Sequence, residues 1–220
     1  MRASHLLLAL TALSPLVACE RGLSDAADAL PTCERACVVH PQGAPVLELS
    51  PKALTTWDPT KAPPAKLASA EGFDAPLKAL EERHRGLIKE GKPIPAIGYL
   101  FCHRDTPGAR LSGLLGHASA ASWKAVALAG RRDAEVGFVT LAVWRGAAKG
   151  AKREELERAG GASVEAAVGG VEACEGGAVC PLLEVSAEAW TCGELVELAD
   201  ALQARGRLIG VRGAGSGDVP

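Results

Sequence analysis

The apolar positions of this chain fall into short runs of two kinds, some alternating or continuous over four to six residues and some recurring every third or fourth position. Val46-Leu47-Glu48-Leu49 is partly alternating and predicts a strand. The run from Asp58 to Ala70 carries Pro59, Pro63 and Pro64 and reads as loop. Asp74 suits a helix N-cap and Pro76 a first turn, where a missing N–H does no harm. Leu77, Leu80, His84, Leu87 and Ile88 then keep helical spacing as far as Glu90-Gly91. Pro95 to Cys102 is nearly continuous in apolar residues, as in a strand covered on both faces. A polar turn, His103 to Pro107, leads into Leu111, Leu114, Leu115 and Ala118 at helical spacing, and Lys124 to Leu128 is the next strand.

The second half follows a similar order. Gly137 to Trp144 alternates as a strand, Lys152 to Ala159 reads as a short charged helix, and Gly169 to Ala178 as a glycine-rich loop. Pro181 to Val185 predicts a strand. Thr191-Cys192-Gly193-Glu194 has capping-box spacing ahead of Leu195, Leu198, Ala199 and Leu202, Gly206 suits the C′ position, and Arg207 to Arg212 closes the body as a strand. Strands alternating with helices imply an α/β fold with parallel pairing. The two halves can be aligned as similar β–α–β units, residues 46–130 and 135–213, with 214–220 as a tail. Leu100, Val126, Val139, Leu183, Leu195, Leu198, Leu202 and Ile209 are the expected core.

The N-terminus has a different character. Arg2 precedes an apolar run from Leu6 to Leu13 that is too short for a permanent membrane span. Leu16-Val17-Ala18-Cys19 follows and resembles the lipobox of bacterial lipoproteins; the other reading is an ordinary secretory signal followed by an unrelated cysteine. The resemblance implies a signal peptide over 1–18, Cys19 as the diacylglyceryl-modified mature N-terminus, and export to the cell envelope. Glu20 implies passage to the outer membrane, facing the periplasm or the surface. Residues 19–45 then read as a flexible tether.

Seven cysteines leave six once Cys19 is set aside: Cys33, Cys37, Cys102, Cys174, Cys180 and Cys192. An even set in an exported chain points to disulfides, and the simplest pairing is Cys33–Cys37, Cys174–Cys180 and a long-range Cys102–Cys192 staple. Three and five residues intervene within the two close pairs, a poor fit to zinc knuckles. Apolar residues make up 48%, enough for a proper core, and a formal charge of −2 argues against a nucleic-acid partner.

Ser186-Ala187-Glu188, the segment from Cys192 to Leu202 and Gly206 together resemble the C-terminal half of the periplasmic domain of ExbD/TolR biopolymer-transport proteins. His103-Arg104-Asp105-Thr106-Pro107 and the helix after it are similar to the same turn in that family. The resemblance implies a duplicated envelope-binding module. Family members carry an N-terminal transmembrane helix with an acidic residue for energy coupling, where this chain has its lipobox, so no residue here takes that role. Of the two equivalent turn positions, His103 and Glu188, only Glu188 keeps the family's charge.

Catalytic signals are few. His103-Arg104-Asp105 lacks the phosphate loop that a kinase would need, and Gly213 to Gly217 lacks the strand–helix context of a dinucleotide site. Cys192 at a helix N-terminus could hold a stabilised thiolate, and Cys102-His103 could form a metal or nucleophile pair. His84 reads as a packed helix residue, and His117 as a helix-terminal group favoured by the dipole. The reading is a lipid-anchored, non-catalytic binding or scaffolding module without a cofactor, whose partners are the membrane and an envelope protein or cell-wall component. The alternative is a thiol-redox or metal-binding lipoprotein using Cys192, Cys102 and His103.

Overall fold

One mixed sheet organises the computed structural model, which describes residues 29–34, 38–39, 46–61, 64–93, 97–117, 120, 123–132, 135–144, 153–174 and 180–212. The strands are β1 (Val38–Val39), β2 (Leu47–Leu49), β3 (Leu54–Asp58), β4 (Ala65–Ala70), β5 (Ile97–Cys102), β6 (Ala125–Arg132), β7 (Glu135–Trp144), β8 (Arg153–Glu155), β9 (Leu182–Ser186) and β10 (Ile209–Arg212). The helices are α1 (Asp74–Lys89), α2 (Gly108–Gly116), α3 (Val164–Gly169) and α4 (Cys192–Gln203). The sheet order is β4-β3-β2-β5-β6-β7-β10-β9-β8, with β1 paired separately to β7.

Two parallel blocks flank β7. β2, β5 and β6 run parallel to one another, as do β8, β9 and β10. β7 is antiparallel to β6 and parallel to β10. The segment expected to open the second unit is therefore the strand that joins the blocks. It pairs with the last strand of each and not with β9.

Strand alternation divides the molecule into two faces. Leu47, Leu49, Leu54, Leu100, Cys102, Val126, Leu128, Val139, Leu141, Leu183, Val185, Ile209 and Val211 point to the helical side. There they share one core with Leu77 and Leu80 of α1, Leu111 to Leu115 of α2, Val168 of α3 and the Leu195/Leu198/Leu202 stripe of α4. All eight residues expected in the core are buried. The other face holds Leu30, Phe101, Ala127, Ala129 and Phe138 in a smaller cluster.

Local chemistry sets the helix ends. Thr191 and Glu194 make a reciprocal capping box at the start of α4. α1 and α4 both end in the paired backbone bonds of a Schellman turn, with Gly91 (φ 71°) and Gly206 (φ 73°) taking the left-handed position.

Asp74, expected as the N-cap of α1, is instead its first helical residue, with Phe73 at the N-cap and no side-chain cap bond. Three further expectations are corrected. The Asp58–Ala70 loop gives way to the end of β3 and all of β4: Leu54 and Thr56 are buried against α1, and Thr56 Oγ1 donates to the Pro76 carbonyl (2.7 Å). The charged helix over 152–159 is instead edge strand β8 followed by extended chain. Glu154 there meets the buried Arg207 guanidinium (2.8 Å), and the helix comes later, with Ser163 capping α3. The flexible tether is fixed over residues 29–34. Leu30 and Cys33 are buried, Thr32 bridges to Arg131 in parallel, and the Glu34 N–H donates to Asp200 (2.9 Å).

Candidate functional site

On the sheet face opposite the described helices, aromatic residues of β5 and β7 build a second, largely buried cluster. Tyr99 and Phe101 of β5 set their rings edge-on to Phe138 of β7, at 5.5 and 5.9 Å between centroids. The small Ala127 and Ala129 between them leave room for these rings, and Leu30 lies over the cluster. Such edge-to-face packing is favoured by the ring quadrupoles.

Beside it lies a polar cluster that ties three strands together. The β5 strand ends at Cys102, so His103 points to the sheet face opposite the described helices, one alternation beyond Phe101, the residue paired with Glu48 of β2. Its Nε2–H donates to Glu48 Oε1 (2.8 Å), and the Trp57 Nε1–H of β3 donates to Glu48 Oε2 (3.0 Å). The Lys66 ammonium of β4 sits 5.5 Å from the Trp57 ring centre, in cation–π range. The hydrogen bond from His103 is the main cause holding the Glu48 carboxyl below its usual range. Burial opposes it, and the Trp57 bond supports it. With a donor on each carboxylate oxygen, this cluster cross-links the sheet.

The cysteines are placed as follows. Cys102, the last residue of β5, is bonded to Cys192, the first of α4, and both are fully buried. Cys174 and Cys180 are bonded to each other. Cys33 is disulfide-bonded, whereas Cys19 and Cys37, and the glycine-rich segment from Gly213, lie outside the described residues. The dipole-activated thiolate considered for Cys192 is thus tied up as a disulfide, and Cys102 pairs with it and not with His103. Among the described residues no group of three or more His, Cys, Asp or Glu is arranged to hold a metal ion.

Backbone contacts around the staple join the two turns that resemble each other in sequence. Pro107 and Thr191 form an antiparallel bridge, Gly108 N–H donates to the Trp190 carbonyl (2.8 Å), and Cys192 N–H donates to that of Thr106 (2.9 Å). Gly108 is needed here because a Cβ would lie 1.8 Å from the Ala187 carbonyl oxygen. Glu188 on the neighbouring 3₁₀ turn accepts from Ser112 Oγ of α2 (3.2 Å). Arg158 braces the same end of α4: it forms a two-pronged bond to Glu194 (2.7 and 3.0 Å) and lies 4.5 Å over the Trp190 ring.

Two depressions lie among the described residues. A shallow, mainly apolar groove of about 430 Å³ is lined by Ala125, Thr140, Ala142, Leu182 and Leu208, with Leu208 69% exposed. A smaller recess between α1 and the starts of β2 and β5 is lined by Arg83, His84, Tyr99 and Trp123. Burial there, helped by Arg83, lowers the His84 pKa from its ordinary value. His117 follows α2 and donates from Nε2 to the exposed Asp74 (3.1 Å). Sequence reasoning singled out His103 but missed Glu48 and Trp57, whose one local signal was the β-favouring Thr55-Thr56-Trp57 run.

Compared with protein families, curated proteins and solved structures, the chain matches none of them.

Proposed function

We propose that this is an exported, lipid-anchored protein of the bacterial envelope that works as a non-catalytic binding or scaffolding module. The observation that carries the reading is the state of the cysteines: each one described, Cys33, Cys102, Cys174, Cys180 and Cys192, is in a disulfide. Disulfides of this number persist in oxidising compartments. They agree with the signal-like N-terminus and the lipobox-like Leu16 to Cys19. The binding surface of this proposal is the groove beside the exposed Leu208, on the sheet face opposite the described helices.

The ExbD/TolR-type relationship belongs to the same proposal. It is supported by the parallel β9–α4–β10 arrangement, by Glu188 just after β9, and by Gly193-Glu194 opening α4. The partner on this reading is an envelope protein or cell-wall component, reached from an outer-membrane anchor. The thiol-redox alternative is disfavoured because Cys102 and Cys192 are bonded to each other with no solvent exposure.

Mass spectrometry of the mature N-terminal peptide is the test. An acylated peptide beginning at Cys19 is expected, and an unmodified peptide beginning elsewhere would overturn the anchor. For the non-catalytic half of the reading, His103→Gln in a protein that still folds should leave the cellular phenotype unchanged. Loss of function with partner binding retained would refute it and point to chemistry at this face.

A further inference from the structure

The strap at residues 29–34 decides how the body stands on a membrane, provided the anchor lies at Cys19 as proposed above. Ala29 is held by the Arg104 N–H on its carbonyl (2.8 Å), and Arg104 Nη2 donates to the Leu30 carbonyl (3.2 Å). Beyond it, Arg131 N–H donates to the Pro31 carbonyl (2.7 Å), Cys33 N–H to that of Arg131 (3.0 Å), and Glu34 N–H to Asp200. The strap is thus pinned to the turn after β5, to β6 and to α4 together. Whatever their conformation, the residues from Cys19 to Ala29 reach no more than about 36 Å. A folded body of roughly 180 residues has a radius of gyration of about 16 Å, hence a diameter of about 41 Å. The link is shorter than the body, so Ala29 cannot sit at the pole farthest from the bilayer.

We infer that the pole at which the chain enters, formed by Arg104, Arg131, Arg132 and Glu135, is a membrane-facing surface whose partner is the lipid headgroup layer. Arg104, Arg131 and Arg132 are exposed there, and so are Glu34, Asp105 and Glu135. These described charges balance, so tether length and not net charge sets the pose, and zwitterionic lipid suffices for it. The opposite pole follows from the β6–β7 ribbon. Arg132 pairs with Glu135 at one end and Ala125 with Ala142 at the other, about 23 Å apart for a strand of this length. The groove beside Leu208 lies at the Ala125 end and is turned outward.

The experiment uses the full acylated protein in phosphatidylcholine vesicles containing a nitroxide-headgroup lipid. A fluorophore is attached through azidophenylalanine replacing Arg132 or Leu208, so that the native disulfides are undisturbed. The nitroxide should quench the label at 132 and leave that at 208 bright. An insertion of about twenty flexible residues after Gly22 should remove the difference. Equal quenching at both positions with Cys19 acylated overturns this inference alone. Absence of the acyl group from Cys19 removes the anchor reading and this inference with it.

Discussion

Removing the Cys102–Cys192 bond should destabilise the protein about twice as much as removing Cys174–Cys180. The two bonds have sequence separations of 90 and 6. In the chain-entropy treatment the longer closure restricts the unfolded ensemble by about 4.6 kcal/mol at 25 °C and the shorter by about 2.2. The small loop is nested within the large one, but shortening the latter by a few residues changes its value by less than about 0.1 kcal/mol. Cys102→Ala/Cys192→Ala also leaves a void between β5 and α4, where both sulfurs are fully buried, so the difference can only grow. The assay is urea denaturation of the two double variants beside the parent. With a slope of about 2–3 kcal/mol/M for a chain of this size, the midpoint should fall by about 1.5–2.3 M for the long-range pair and by about 0.7–1.1 M for the local pair. Equal shifts, or a larger one for the local pair, would refute the reasoning.

Other substitutions probe individual contacts. Gly108→Ala places a Cβ 1.8 Å from the Ala187 carbonyl and should abolish or cripple folding, whereas Gly86→Ala on the open side of α1 should gain about 0.5–1 kcal/mol; thermal melts of both decide it. Leu198→Ala, at a fully buried position, should cost about 2–5 kcal/mol by urea titration, and a cost near zero would contradict the packing of α4. The Glu48 pKa is lowered by folding, so its contribution is complete above its unfolded pKa near 4.5 and is lost as pH falls through the folded value. Glu48→Gln should therefore flatten the acid side of the stability–pH curve, and an unchanged acid limb would show that the His103 bond does not hold this carboxylate.

Elements specified by their own residues were legible in the sequence. α4 carries its cap, its apolar stripe and its terminal glycine within sixteen consecutive positions, Thr191 to Gly206, and each feature took the expected place. Cys174–Cys180 and Cys102–Cys192 paired as expected, one because it is local and the other because it is the distant pair that then remains, whereas Cys37 lies outside the described residues. Elements specified by their neighbours were not legible. Ala65 to Ala70 has no β-branched residue, and its strand state comes from pairing with β3. Lys152-Arg153-Glu154-Glu155 favours a helix intrinsically, yet pairing with β9 and the Arg207 guanidinium on Glu154 hold Arg153 to Glu155 in the sheet edge. The polar cluster was half visible. His103 stands out in any reading, but Glu48 lies 55 residues away and only the β2–β5 register brings them together.

The nesting of Cys174–Cys180 inside the Cys102–Cys192 loop also bears on how the protein matures. A polypeptide emerges from its N-terminus, so Cys102 appears ninety residues ahead of its native mate. Cys174 and Cys180 both appear before Cys192 does. Through that interval Cys102 is a thiol with only wrong partners, while the close spacing of Cys174 and Cys180 gives them a high mutual effective concentration and lets them take each other out of competition. Fidelity then depends on the small loop closing early and on any misbridged Cys102 being reshuffled by thiolate exchange before α4 packs and buries the bond. The staple is therefore a last-formed seal, set once both blocks of the sheet have been made and brought together.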